Sequence, residues 1–182
     1  MRVIIAITAA SGSIYARLLL EELIENDDVE KIGVILSRHA EDVIKYEQES
    51  LPHHSKICVY DNDNLFASMA SGSSRWDCMA IVPCSAGTMG RIASGVSETL
   101  IERSADVMLK EKRRLILCLR ETPLSLIHLR NAETITLAGG TILPASPSFY
   151  AHPEEIESLC RSVTGRILSH LGLKNNAFEW HD

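Results

Sequence analysis

Met1-Arg2-Val3-Ile4-Ile5-Ala6-Ile7-Thr8-Ala9-Ala10-Ser11-Gly12-Ser13 is the stretch that decides how this chain folds. Its first seven residues are almost continuously apolar and rich in β-branched side chains. That pattern reads as a strand covered on both faces, the hallmark of a parallel sheet. The run is far shorter than the ~18 apolar residues a membrane span needs. It meets a turn of small residues rather than a cleavage-site pattern. After the turn, Ala16, Leu19, Leu20, Leu23 and Ile24 recur at core spacing while Glu21, Glu22 and Glu25 fall on the opposite side. A buried strand, a small-residue turn and an amphipathic helix are the opening of a βαβ unit.

Outward from this unit the alternation repeats. Strands are expected at Arg2–Ile7, Lys31–Leu36, 78–82, Arg114–Leu119 and 141–143, and helices at 14–25, 40–49, 88–94, 98–112, 125–137 and 153–171. Pro153 suits a first helical turn, with Glu154, Glu155 and Glu157 at the positive end of the dipole. The fold class is α/β: a three-layer doubly wound Rossmann-like or flavodoxin-like parallel sheet in a single domain spanning 1–182. Residues 52–74 form the least regular excursion. Residues 174–182 form a C-terminal tail, polar apart from Ala177, Phe178 and Trp180, that is expected either to dock on a neighbour or to stay mobile.

The chain has 182 residues, 46% apolar and 23% charged, with net charge −6. The negative charge and the scarcity of aromatic residues argue against nucleic acid as a partner, and no segment suits a membrane. Five cysteines without a Cys-x-x-Cys pair suit reduced thiols in a cytoplasmic protein. Cys84 reads as a small buried hydrophobe rather than a nucleophile. The seven histidines show no metal-ligand spacing.

Ligands of such sheets bind at the carboxyl ends of strands, which directs attention to the following loops. Thr8 to Ser13 offers small residues and a helix start to an anion, or is a plain turn with a Ser cap. Pro83-Cys84-Ser85-Ala86-Gly87-Thr88 repeats the arrangement, and Ser37 adds a third hydroxyl. Three hydroxyl-bearing loops at strand ends point to a phosphate-bearing ligand. Arg120 and Glu121 end a buried strand, either as a surface ion pair or as a phosphate clamp beside a proton shuttle. Arg103, Asp106 and Lys110 share one helix face, which alone reads as a solvated stripe.

Taken together, Thr-Ala-Ala-Ser-Gly-Ser at 8–13, Leu-Ser-Arg-His-Ala at 36–40 and Pro-Cys-Ser-Ala-Gly-Thr at 83–88 resemble loops of one family. So do Leu-Ile-Glu-Arg-Ser-Ala-Asp-Val-Met-Leu-Lys-Glu at 100–111, Arg-Glu-Thr-Pro-Leu-Ser at 120–125 and Pro-Ser-Phe-Tyr at 147–150. The chain resembles the UbiX/Pad type of flavin prenyltransferase, in the flavin-dependent cysteine decarboxylase-like superfamily. The resemblance implies FMN held by Ala9, Ala10, Ser11, Ser37, Ser85, Ala86, Gly87, Thr88 and Arg120. It implies dimethylallyl phosphate at Tyr150 and Arg166, with Arg103, Lys110 and Arg120 adding positive charge. It also implies a homo-oligomer, typically a dodecamer, whose Arg103 and Lys110 reach a site shared between subunits. In one departure Ala9 takes a place the family usually gives to Gly, and a positive φ there would disfavour it.

The implied reaction joins the dimethylallyl group to N5 and C6 of reduced FMN and expels phosphate without a metal. Glu121 is the implied proton donor or acceptor, with Ser11 as relay and Glu47 as a further carboxylate. The product, prenylated FMN, would serve a UbiD-type decarboxylase in quinone synthesis or phenolic-acid breakdown. A cysteine decarboxylase of the superfamily is disfavoured: residues 69–74 lack its His, and Leu119-Arg120-Glu121-Thr122-Pro123 replaces its Pro-Ala-Met-Asn. A subunit of an aromatic-acid decarboxylase system and a non-catalytic flavin carrier are the alternatives.

Overall fold

The computed structural model describes residues 1–175. Its strands are β1 (Arg2–Ile7), β2 (Lys31–Leu36), β3 (Ile57–Tyr60), β4 (Cys78–Cys84), β5 (Arg114–Leu119) and β6 (Thr141–Pro144). All neighbours pair in parallel, in the order β3-β2-β1-β4-β5-β6. This is the doubly wound order in which the chain reverses its direction of growth between β1 and β4. The helices are α1 (Ser13–Glu25), α2 (Ala40–Tyr46), α3 (Ala86–Ala93), α4 (Leu100–Lys110), α5 (Leu126–Leu137) and α6 (Ile156–Leu171).

Alternate side chains of each central strand enter opposite cores. Val3, Ile5 and Ile7 of β1 pack with Leu19, Leu23, Ile167 and Leu171 of α1 and α6. Ile4 and Ala6 pack instead with Met89, Leu100, Ile101 and Met108 of α3 and α4. Each fully buried Ile or Leu contributes about 1.5–3 kcal/mol to stability. The continuous apolar runs of β1 and β4 thus fill two cores at once. Gly33 of β2 is required by packing, because a Cβ there would lie 2.7 Å from the Trp76 ring.

Several boundaries differ from the expectations, each for a visible cause. β3 lies inside the stretch read as irregular; it is a short edge strand paired with β2. α2 stops at Tyr46 rather than 49, and Gln48 then turns the backbone to φ 60°. Ser85 caps α3, which therefore opens at Ala86 rather than at 88. A Thr99–Glu102 capping box starts α4 at Leu100, two residues later than expected. Glu155 is the N-cap of α6, so Pro153 precedes the helix instead of opening it. The tail expected at 174–182 lies outside the described residues from 176 onward. Among the described residues no helix is long and apolar enough to cross a membrane.

Candidate active site

Parallel strands bring their loops to one edge in sheet order, and a row of hydrogen bonds stitches these loops together. The Ser37 amide donates to Ile7 O at 2.9 Å. The Thr8 hydroxyl donates to Pro83 O at 2.8 Å and accepts from the Ser85 amide at 2.9 Å. The Arg120 amide reaches Cys84 O at 3.1 Å, and the Ala145 amide reaches Leu119 O at 2.8 Å. Five loops therefore form one continuous rim, with the β1/β4 reversal at its centre. Ala9, Ala10, Ser11, Ser37, Ser85 and Arg120 all lie on it, as expected.

The first loop is built differently from a plain capped turn. Gly12 is the N-cap of α1 at φ 108°, a conformation that favours glycine, and it supplies no side-chain cap. The cap comes from a distant segment. The Glu47 carboxylate accepts from the Gly12 amide at 2.9 and 3.1 Å and from the Ser13 amide at 2.7 Å. The expectation of an exogenous anion at this helix start is corrected: Glu47 is the anion there. Burial raises the Glu47 carboxyl, but hydrogen bonds from Ser11, Ser13 and Gly12 outweigh it and hold the group below its ordinary range. Ala9 is exposed and is not among the described residues with positive φ, so its Cβ brings no backbone strain.

The third loop leaves a different set of donors. The Ser85 hydroxyl accepts from the Thr88 amide at 3.2 Å and bonds the Thr88 hydroxyl at 3.1 Å. Thr88 is buried, so its side chain belongs to the cap rather than to a ligand surface. The amides of Ala86 and Gly87, in the first turn of α3, are the ones placed to meet a ligand. Burial pushes the Cys84 thiol far above its ordinary value, consistent with a packed rather than nucleophilic sulfur.

Arg120 closes the rim on the β5 side. Its Nε is buried and has no hydrogen-bond partner among the described residues. A buried guanidinium nitrogen without an acceptor is costly, and an oxygen-rich ligand in the crevice would supply one. FMN fits this site: small residues at 9–11 permit close approach, the amides of Ala86 and Gly87 lie in the first turn of α3, and Arg120 has a buried donor without a partner among the described residues. Glu121 is exposed, with its carboxylate on the Thr122 amide at 3.0 Å.

Tyr150 and Arg166 come together in a cleft of about 750 Å³ beside β6, shared with Ser146, Ser148 and His170. The Ser162 hydroxyl of α6 accepts from the Ser148 amide at 3.0 Å and so fixes this loop. Arg103 and Lys110 do not join them. Arg103 Nε donates to Ala70 O at 3.0 Å and its Nη1 pairs with Asp106 at 2.6 Å. Lys110 pairs with Glu111 at the far end of α4. α4 packs in the core opposite α6, so the sheet stands between these two cations and the Tyr150–Arg166 cleft. Among the described residues no group of three or more His, Cys, Asp or Glu is placed to hold a metal ion. Sequence reasoning missed Glu102, buried against Arg91, and Arg17, a partly buried cation on α1 with three carboxylate partners. Glu102 carried one signal, its place three residues after Thr99.

Comparison with known proteins agrees with this geometry. The family model described as Flavoprotein matches residues 1–168. "Flavin prenyltransferase UbiX" of Methanocaldococcus jannaschii is 39% identical, over 98% of this chain and 97% of its own. A crystal structure of AnUbiX (PadA1) in complex with FMN and dimethylallyl pyrophosphate superposes with TM-score 0.88 at 38% identity, covering 99% and 98% of the two chains. A dodecameric FMN-dependent UbiX-like decarboxylase from Escherichia coli O157:H7 gives TM-score 0.92 at 33% identity, covering both chains in full.

Proposed function

The chain belongs to the Flavoprotein family and, within it, to the flavin prenyltransferases, and on that footing we propose that it joins a dimethylallyl group to N5 and C6 of reduced FMN. The observation that carries the reading is the buried, unpartnered Arg120 Nε at the rim beside the β1/β4 reversal. Reduced FMN supplies the nucleophilic ring. Residues 9–11 and the start of α3 hold it, Ser37 borders it, and Arg120 donates to it. Tyr150 and Arg166 bind the donor's phosphate in the neighbouring cleft and stabilise the charge that grows on it as the allylic bond breaks. Glu121, exposed just past β5, gives or takes the proton, with Ser11 and Glu47 as relay.

Arg103 and Lys110 complete the cationic set from another copy of the chain. α5 supports such an assembly: Leu126, Ile127, Leu129 and Leu137 are exposed and Ile135 alone is buried in that helix. We take the assembly to be a dodecamer, the donor to be the monophosphate, and the recipient of the product to be a UbiD-type decarboxylase. The five free thiols suit the reducing cytoplasm. The test is anaerobic incubation with reduced FMN and dimethylallyl phosphate or pyrophosphate, followed by mass spectrometry of the flavin. The expected result is a gain of one C5 unit, faster with the monophosphate. Bound but unaltered flavin with both donors would overturn the reading in favour of a carrier.

A further inference from the structure

Arg17 of α1 is partly buried, its side chain 17% exposed. Its guanidinium meets three carboxylates: Nε to Glu49 at 2.6 Å, Nη1 to Glu21 at 2.9 Å and Nη2 to Glu157 at 2.6 Å. Exposed single ion pairs contribute little, but a partly buried fork with three partners has a held geometry. Glu157 belongs to α6 and Glu21 to α1 itself. Glu49 belongs to neither; it lies just past α2, two residues after Glu47.

That spacing matches α1. Ser13 and Arg17 lie one turn apart on the same side of the helix, about 6 Å along its axis. Residues 47–49 form the C-terminal turn of α2, in which the Gln48 amide returns to Lys45 O at 3.1 Å and the Glu49 amide to Ile44 O at 3.0 Å, and this turn faces α1 with both carboxylates. Glu47 thus reaches the Gly12 and Ser13 amides while Glu49 reaches Arg17, so the turn lies along α1 with two points of attachment. Between them Gln48 has φ 60°. The backbone bonds to Lys45 and Ile44 close the turn on α2, so what the two carboxylates set is where the turn lies along α1.

We propose that Arg17 is a positioning residue that, through Glu49, fixes the 47–49 turn and so sets Glu47 against the first flavin loop. The proposal rests on the reading of Glu47 as part of the relay beside that loop. Loss of the tie frees Glu47 from the Gly12 and Ser13 amides without touching flavin or donor directly.

The test compares Arg17→Met, Glu49→Gln and Glu157→Gln in the full chain, by prenyl-transfer kinetics and by hydrogen exchange of the Gly12 and Ser13 amides. Arg17→Met and Glu49→Gln are expected to lower kcat about tenfold, with donor KM within about twofold. Both should speed exchange of the two amides by about tenfold. Glu157→Gln removes an equally short ion pair from the same guanidinium and should change neither. Glu49→Gln keeps Arg17 and carries the test even where Arg17→Met fails to fold. Wild-type amide protection in Glu49→Gln would overturn the proposal. So would an equal loss in Glu157→Gln, which would make Arg17 a clamp for α6. Glu47→Gln separates the two ideas. If it turns over like wild type while amide exchange still responds to Glu49→Gln, the positioning stands and the catalytic reading of Glu47 falls.

Discussion

At the rim, Arg120 and Glu121 are adjacent in sequence and opposite in environment. Arg120 carries a buried nitrogen with no acceptor among the described residues, whereas Glu121 is exposed and turned onto the next amide. On the proposed function the two side chains divide the work: Arg120 binds FMN and Glu121 moves a proton. Arg120→Ala should raise the Kd for FMN by about ten- to hundredfold, the worth of a lost charge-assisted hydrogen bond. It should leave the melting temperature of the FMN-free protein unchanged or higher, because the orphaned group goes with it. Glu121→Gln should bind FMN within about twofold of wild type and slow prenyl transfer by about a hundredfold or more. Flavin fluorescence titration and single-turnover product formation separate the two effects. If the phenotypes were exchanged, the roles assigned here would be wrong.

Among the elements, the link between α3 and α4 shows what a buried charge does for the fold. Glu102 is 2% exposed, pairs with Arg91 and accepts from the amides of Glu98 and Thr99 at 3.2 and 3.1 Å. Burial raises its carboxyl, but the bonds from Arg91 and Thr99 outweigh that and hold it below the ordinary range. A depressed carboxyl stabilises the fold fully above its unfolded value of about 4.3, and that contribution is lost as pH falls through the folded value. Glu102→Gln should cost about 1–2 kcal/mol at pH 7, since it weakens the bonds to the Glu98 and Thr99 amides while the half-exposed Arg91 stays solvated. The gap from wild type should close below about pH 4, as urea unfolding across pH would reveal. A constant gap from pH 7 to 3 would rule out the charge as its source. The same scale shows what was legible beforehand. β1, β2 and β5 were readable to the residue because each is bounded by polar or turn-forming residues and filled by apolar ones on both faces. β3 was not, because Ile57-Cys58-Val59-Tyr60 is short, lies at the edge and leaves Val59 exposed. Its only signature is pairing with β2, which a local pattern does not contain.

Over the whole molecule, the rim loops were legible because a parallel sheet must deliver them to one edge. The Arg103–Lys110 stripe was legible only as a stripe. Helical spacing places both on one face of α4 but carries no information about which side of the sheet that helix covers. The structure puts α4 and α6 in opposite cores, so one chain cannot bring Lys110 to Arg166 around its own sheet. If both serve one reaction, the site needs two copies, with Lys110 of one meeting Arg166 of the other, which a two-fold contact or a ring contact can each provide. This requirement has a direct consequence. Lys110→Ala and Arg166→Ala should each abolish most prenyl transfer as pure oligomers. Denatured together in equal amounts and refolded, they should recover activity, because roughly a quarter of the sites then draw Lys110 from one variant and Arg166 from the other. Refolding each variant alone gives the baseline. Recovery well above it would establish the shared site, and its absence in verified mixed oligomers would leave Lys110 and Arg103 as the solvated stripe their local pattern suggests. The exposed apolar side chains of α5 bear on the same experiment, since a contact strong enough to share a site must bury apolar area from each copy. Leu126→Glu with Ile127→Glu should therefore lower the mass measured by light scattering and abolish complementation together, whereas loss of complementation at unchanged mass would place the shared edge elsewhere.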